Sequence, residues 1–193
     1  MSTLPGKAVL ITGANGGIGK DVARQLALRP EMTRIYLACR NRDRATSAKA
    51  ELEAETGRRI FDIVLMDVAD LGSVRTGLAA INGSVDALVM NAGVIGPHSM
   101  DLTADGVTTV FATNVLGHIV LLEGLLAEDR LGEVAVLAGS EAVRGVPKLR
   151  MKGPSFVSTS ADELATVIDG SYFASRKPDF NLAFGQAKYI GAL

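Results

Sequence analysis

A doubly wound α/β fold built on a parallel sheet is what this sequence predicts, and three observations predict it. Short β-branched apolar runs alternate with longer amphipathic ones from the N-terminus to about Ser140. The short runs are almost continuously apolar, which marks strands covered on both faces, as in sheets flanked by helices. The first run passes directly into a glycine-rich turn and then into a helical pattern.

The strands are AVLI (8–11), RIYLAC (34–39), FDIVLM (61–66), VDALVM (85–90) and EVAVLA (133–138), assigned by length and branching. Between them GIGKDVARQLALR, RDRATSAKAELEAETG, LGSVRTGLAAI and TADGVTTVFATNVLGHIVLLEGLLAEDR read as helices. Pro30 ends the first and Gly57 follows the second, both common helix stops. Strands alternating with helices need crossover connections, and these give a parallel sheet. After Ser140 the rhythm breaks. Residues 141–180 hold Pro, Gly and Ser with one modest helical stretch near ADELATVI, and a long weakly structured segment of this kind is usually functional or mobile. NLAFGQAKYIGAL (181–193) then reads as a last helix. With no internal repeat and no low-complexity tract, residues 1–193 read as one domain.

Composition narrows the partners. Lys plus Arg total 20 against 21 Asp plus Glu, a net charge of −1, which gives no electrostatic reason to expect nucleic acid or an anionic membrane. A small-molecule substrate fits better. The single cysteine, Cys39, rules out an internal disulfide framework, suits a reducing compartment and reads as a small buried hydrophobe. The N-terminus MSTLPGKAVLITGANGG lacks a signal-peptide pattern. No stretch reaches the roughly 18 unbroken apolar residues of a membrane span. A cytoplasmic location is the expectation. His98 and His118 have no Cys or carboxylate at metal-ligand spacing, so no metal is assigned, and His118 reads as packed within the long helix.

The turn after the first strand carries the chemistry. In AVLITGANGGIGKDVARQLA the strand meets Gly13, Gly17 and Gly19 and then a helix. Glycine lets the backbone turn tightly and approach a pyrophosphate, while the helix N-terminus offers free N–H groups and the positive end of its dipole. The plain alternative is a turn that needs glycine only for its backbone angles. Because strand, glycines and helix come in the required order, dinucleotide binding is the preferred reading.

The spacing Gly-x-x-x-Gly-x-Gly, written TGANGGIG, resembles the short-chain dehydrogenase/reductase family, and the resemblance continues along almost the whole chain. It implies a Rossmann-like fold and places Gly13, Asn15, Gly17, Ile18 and Gly19 in the cofactor turn. Asp67 and Val68, in LMDVADLGSV, resemble the pair that meets the adenine. Asn91, Ala92 and Gly93 match the family's NAG turn. Asn114 in TNVLGH resembles the structural and catalytic Asn, Ser140 in LAGSEA the catalytic Ser, and Lys188 in FGQAK the Lys of Tyr-x-x-x-Lys. ACRN, the Asn-x-x-Gly-His run and the GQAK context are nearest the retinol dehydrogenase and protochlorophyllide reductase branches.

NAD-preferring enzymes commonly place an acid about 20 residues beyond the glycines, on the ribose 2′-hydroxyl. Here that place holds Cys39 and Arg40, with Asn41, Arg42 and Arg44 behind them. A guanidinium suits a 2′-phosphate, because its planar donors match phosphate oxygens. The family resemblance agrees, so NADP is the expected cofactor, with Arg40 the first choice and Arg44 the second. A solvated basic helix start is the alternative.

Carbonyl reduction needs a proton donor near the substrate oxygen. A tyrosine serves near neutral pH when a cation lowers its phenol, and a lysine four residues on shares its helix face. By the resemblance, Lys188 tunes that phenol and holds the nicotinamide ribose, Ser140 binds the substrate carbonyl and Asn114 holds a relay water. Position 184, however, is Phe. A Tyr→Phe change introduced into an active enzyme, a natural pseudoenzyme that keeps only the nucleotide, and another group supplying the proton all explain it. Tyr172 with Arg176, and Tyr189, are weak substitutes. Because Asn114, Ser140 and Lys188 persist, an active lineage altered at one position is favoured.

The stretch 141–180 is longer than in compact family members and reads as an insertion beside the active site. Its Arg144, Lys148, Arg150 and Lys152 suggest either an acidic substrate group or, more commonly, a solvated loop. The family normally continues through further strands and a substrate-covering helix, so the chain is expected to be truncated after residue 193. A homodimer through VLGHIVLLEGLL and the last helix is also an expectation.

Overall fold

The computed structural model describes residues 6–149, 153–158, 160–174 and 179–192. Arg150, Lys152 and Arg176, named above, lie outside the described residues. The described residues form two compact units, one drawn from Met1–Ala92 and Val120–Ala138, the other from Gly93–Ile119 and Gly139–Leu193.

The first unit holds a five-stranded sheet of order β3-β2-β1-β4-β5 with every neighbouring pair parallel. Its strands are β1 (Lys7–Thr12), β2 (Met32–Cys39), β3 (Phe61–Leu65), β4 (Val85–Met90) and β5 (Leu131–Leu137), and the helices α1 (Gly17–Ala27), α2 (Arg42–Thr56) and α3 (Leu71–Ala79) alternate with them. The pleat sends successive side chains to opposite faces. On β1 and β2, Leu10 and Tyr36 enter one core with Leu88, Leu121 and Leu125. Val9, Ile11, Ile35 and Leu37 enter the other with Leu52 and Phe61. Unbroken apolar runs are therefore required at these two central strands.

One strand departs from that expectation. β5 is an edge strand, and its Val134 and Val136 are 46% and 51% exposed. Its apolar run reflects one buried face, not two. At the start of β1 the pairing slips between Lys7 and Ala8, and the Asp86 carboxylate accepts the Ala8 N–H at 2.7 Å.

Caps set the helix ends. Asn41 Oδ1 accepts the Arg44 N–H at 2.9 Å to open α2, and Gly57, at φ 66°, closes it in the left-handed region that favours glycine. α1 ends at Ala27, ahead of Pro30, where the Arg58 guanidinium donates to the carbonyls of Ala27 and Met32. The long helical pattern begins later than its sequence suggests. Residues 103–108 form a turn closed by Thr103 N–H to the Val107 carbonyl at 2.8 Å. The helix runs Thr109–Ala127 as α4 (Thr109–Phe111), a π-helical turn (Ala112–Leu116) and α5 (Gly117–Ala127). By length and composition alone this helix could cross a membrane, although no unbroken apolar run makes it so; 56% of it is buried inside the protein, as a core helix would be.

The second unit has its own core, in which Val110, Phe111 and Val115 meet Val167, Phe173, Ala183 and Ala187. Val167 belongs to α6 (Ala161–Ile168), the helix expected near ADELATVI, and the alanines belong to α7 (Phe180–Ile190). Asp179 caps α7 by accepting the Leu182 N–H at 2.9 Å. α6 opens on a Ser160 cap, and Glu163 turns back to take the N–H groups of Val157 and Ser158. The stretch 141–180 is thus partly ordered by its own helix and caps.

Candidate functional site

In the first unit a cradle forms between the ends of β1 and β4. Thr12, fully buried, accepts the N–H groups of Asn91 and Ala92 on its hydroxyl at 2.9 and 3.0 Å, and Asn91 Nδ2 returns a bond to the Thr12 carbonyl at 3.0 Å. These bonds lock Asn91 and Ala92 against the glycine turn. Gly13 sits at φ 66° and Gly17 at φ 52°. Gly19 is a matter of space: a Cβ there would lie 2.6 Å from the Gly13 carbonyl oxygen and 2.5 Å from Asn91 Nδ2. Around Gly16 and Gly17, in contrast, a Cβ would meet nothing, and the N-terminus of α1 has no side-chain cap and no acid in its first turn. Uncapped N–H groups facing open space are what an anionic phosphate needs. Asn15 is half-buried beside them, and Ile18 is 76% exposed.

Arg40 and Arg44 are exposed at the end of β2 and in the first turn of α2. Cys39, just before, is buried as expected, and burial pushes its thiol up to about 11, so it stays a neutral thiol. Asp67 is half-buried and accepts the Ala69 N–H at 3.0 Å, while Val68 sends its side chain into the core.

In the second unit, Asn114 lies fully buried in the π-helical turn. Its Oδ1 accepts the Val94 N–H at 3.0 Å, and its Nδ2 donates to the Val94 carbonyl at 2.9 Å. Both ends of the amide thus hold the backbone just past Gly93, itself exposed. Ser140 caps the short helical turn Glu141–Val143, its Oγ accepting the Ala142 N–H at 3.1 Å, which leaves its own proton to donate. That turn lies against α7, since a Cβ on Gly185 would come 3.3 Å from the Ala142 carbonyl oxygen.

Phe184 and Lys188 share one face of α7, with Nζ 6.0 Å from the ring centroid, at the limit of a cation–π contact. Lys188 is only 7% exposed, and burial lowers its pKa below the usual lysine value. Tyr189 turns elsewhere and stacks on Phe156 at 5.2 Å, and Tyr172 lies edge-on to Phe173 at 5.0 Å. Arg144 and Lys148 are exposed. Thr12, within the first unit, and Val94, within the second, hold predicted site residues in place without having been singled out as site residues. Thr12 carried a signal in its place directly before Gly13; Val94 acts through its backbone, which no side-chain pattern reveals.

A family model described as short chain dehydrogenase matches residues 7–149. Retinol dehydrogenase 12 from Homo sapiens is 42% identical over 144 residues, covering 72% of this chain and 44% of that protein. Dehydrogenase/reductase SDR family member 12 from Bos taurus is 32% identical over 162 residues, covering 82% of this chain and 50% of that protein. Among solved structures, L-sorbose reductase from Gluconobacter frateurii, complexed with NADPH and L-sorbose, matches with a TM-score of 0.60 at 28% identity, over 73% of this chain and 55% of that one. The chain spans half or less of the length of these two curated relatives.

Proposed function

The chain belongs to the short chain dehydrogenase family, and on that premise we propose that it binds NADP and serves hydride transfer between the nicotinamide and a small-molecule carbonyl, alcohol or activated double bond. The observation that carries this reading is the glycine cradle, with its open, uncapped helix N-terminus and no room for a Cβ at Gly19. Gly13, Gly17, Ile18, Gly19 and Asn15 would hold the pyrophosphate, Arg40 or Arg44 the 2′-phosphate, and Asp67 and Val68 the adenine. Two arginines where an acid would select NAD support NADP, as does the NADPH bound by the sorbose reductase.

Bound there, the cofactor supplies or takes the hydride. The chain's own residues would orient the substrate and handle the proton. Ser140 keeps a hydroxyl proton for the substrate oxygen, and Lys188 places a desolvated ammonium beside position 184. Phe184 stands where the resemblance calls for the phenol, so the proton donor is missing and turnover by this chain is impaired. That single residue favours the second reading, an NADP-binding module that keeps the cradle and has lost the chemistry.

The test titrates NADPH and NADH against the protein by cofactor fluorescence and then assays Phe184→Tyr with a panel of carbonyl compounds. NADPH binding in preference to NADH is expected, followed by a gain in turnover of roughly a hundredfold or more, the usual worth of a positioned acid. Binding without turnover after the substitution would move the protein to the second reading, and failure to bind either dinucleotide would overturn both.

A further inference from the structure

The pairing of β3 with β2 ends at Leu65, and one further bond, from the Met66 N–H to the Cys39 carbonyl at 3.0 Å, carries the chain beyond it. The next N–H, that of Asp67, goes elsewhere. It donates to the Ser73 hydroxyl at 2.9 Å, six residues on and in the first turn of α3. Ser73 is itself fixed, because its own N–H donates to Oδ1 of Asp70, the cap of α3, at 3.0 Å. In a capping box the third helical residue reaches back to the N–H of the cap. Here the Asp70 N–H is already taken by the Asp67 carbonyl at 3.1 Å, and the serine reaches past it to Asp67.

A second contact seats the same face of α3. Gly77 follows Ser73 by one turn, and a Cβ there would lie 2.6 Å from Met66 Cε, 3.1 Å from Met66 Cβ and 3.3 Å from the Leu65 carbonyl oxygen. The helix therefore lies directly on the end of β3, with Val74 fully buried beside the contact. Only at this close approach can a side chain as short as serine reach the Asp67 backbone. The backbone that carries the Asp67 carboxylate is thus held from α3, while Val68 anchors it in the core. Of the carboxylate oxygens, Oδ1 accepts the Ala69 N–H at 3.0 Å, which leaves Oδ2 for a donor from outside the turn.

We propose that Ser73 is a positioning residue for recognition of the cofactor's base: by holding the Asp67 N–H it sets the carboxylate that separates adenine from a purine lacking the exocyclic amine. This rests on the reading of Asp67 and Val68 as the adenine site. An ionised carboxylate accepts hydrogen bonds and donates none, so it favours an amine and repels a carbonyl oxygen in the same place. That choice is sharp only while the carboxylate keeps its place, and Ser73 fixes it without touching the base.

The test binds two dinucleotides to the full chain by nicotinamide fluorescence. One is NADPH, and the other is its deaminated analogue, in which hypoxanthine carries a carbonyl oxygen where adenine carries the amine. The native protein is expected to prefer NADPH by about tenfold or more, the worth of a hydrogen bond to a charged group. Ser73→Ala, and Ser73→Cys, whose thiol accepts only weakly, are expected to reduce that preference to about twofold. Ser73→Thr keeps the hydroxyl and is expected to hold the preference within about twofold of the native value. A loosened helix alone would weaken both ligands alike and leave their ratio unchanged. An unchanged ratio in Ser73→Ala, or in Ser73→Cys if the alanine variant does not fold, would therefore overturn the proposal. Equal binding of the two dinucleotides by the native protein would also overturn it and leave the NADP reading standing, whereas binding of neither would overturn both.

Discussion

At His118, one buried ring makes the stability of the whole fold depend on pH. Its midpoint falls from 6.5 in the open chain to about 4 in the folded one. Between those values the unfolded chain binds the extra proton, so stability rises with pH through that window and is lost as pH falls from 6.5 toward 4. A shift of this size corresponds to about 3 kcal/mol at the acid end. Urea unfolding at pH 7.5, 6 and 5 should show the native protein losing stability on acidification more steeply than His118→Gln, which has no proton to gain. Equal slopes would place the acid sensitivity elsewhere. Sequence reading could find the lysine and the serine, whose neighbours form recognisable motifs, but not this dependence. A histidine in VLGHIVLLEGLL looks the same whether or not a buried cation lies near it, because burial is set by packing and Lys188 is 70 positions away.

At the level of elements, the turn from β1 into α1 is where local geometry and packing coincide. Gly19 lies inside a helix, where its backbone angles would suit alanine, yet a methyl group would meet the Gly13 carbonyl oxygen at 2.6 Å. Gly19→Ala is therefore expected to cost about 1–3 kcal/mol, seen as a lower Tm, and to weaken dinucleotide binding by pushing the helix off the turn. An unchanged Tm would mean that the turn yields at no cost. The strands, their order along the chain and this turn were legible because each is written in neighbouring residues. Two features were not. The π-helical turn at Ala112–Leu116 carries no periodic signature, and the late start of that helix at Thr109 is set by hydrogen bonds among residues 101–109, including Thr109 N–H to the Asp101 carbonyl at 2.8 Å.

Across the described residues, β5 closes one side of the sheet, and two of its valines are exposed. Val134 and Val136 share one face of β5 and leave it exposed, and exposed apolar surface of this kind favours association with another chain unless charge or shape prevents it. Glu133 is the charge of this strand, and Lys7 engages it at 2.6 Å. Val136→Lys is expected to change folding stability by no more than about 0.5 kcal/mol while lowering concentration-dependent association in light scattering. An equal tendency to associate would clear this face of responsibility. The sequence suggested a strand buried on both sides here, because apolar content cannot report where in a sheet a strand will stand. Asn114 shows the opposite economy. Its amide offers Val94 the same acceptor and donor that a peptide unit of an adjoining strand would offer, so a side chain imitating main chain holds the backbone at this one residue. Val94 therefore needs no strand beside it to satisfy its N–H and its carbonyl, because one amide of the π-helical turn supplies both partners.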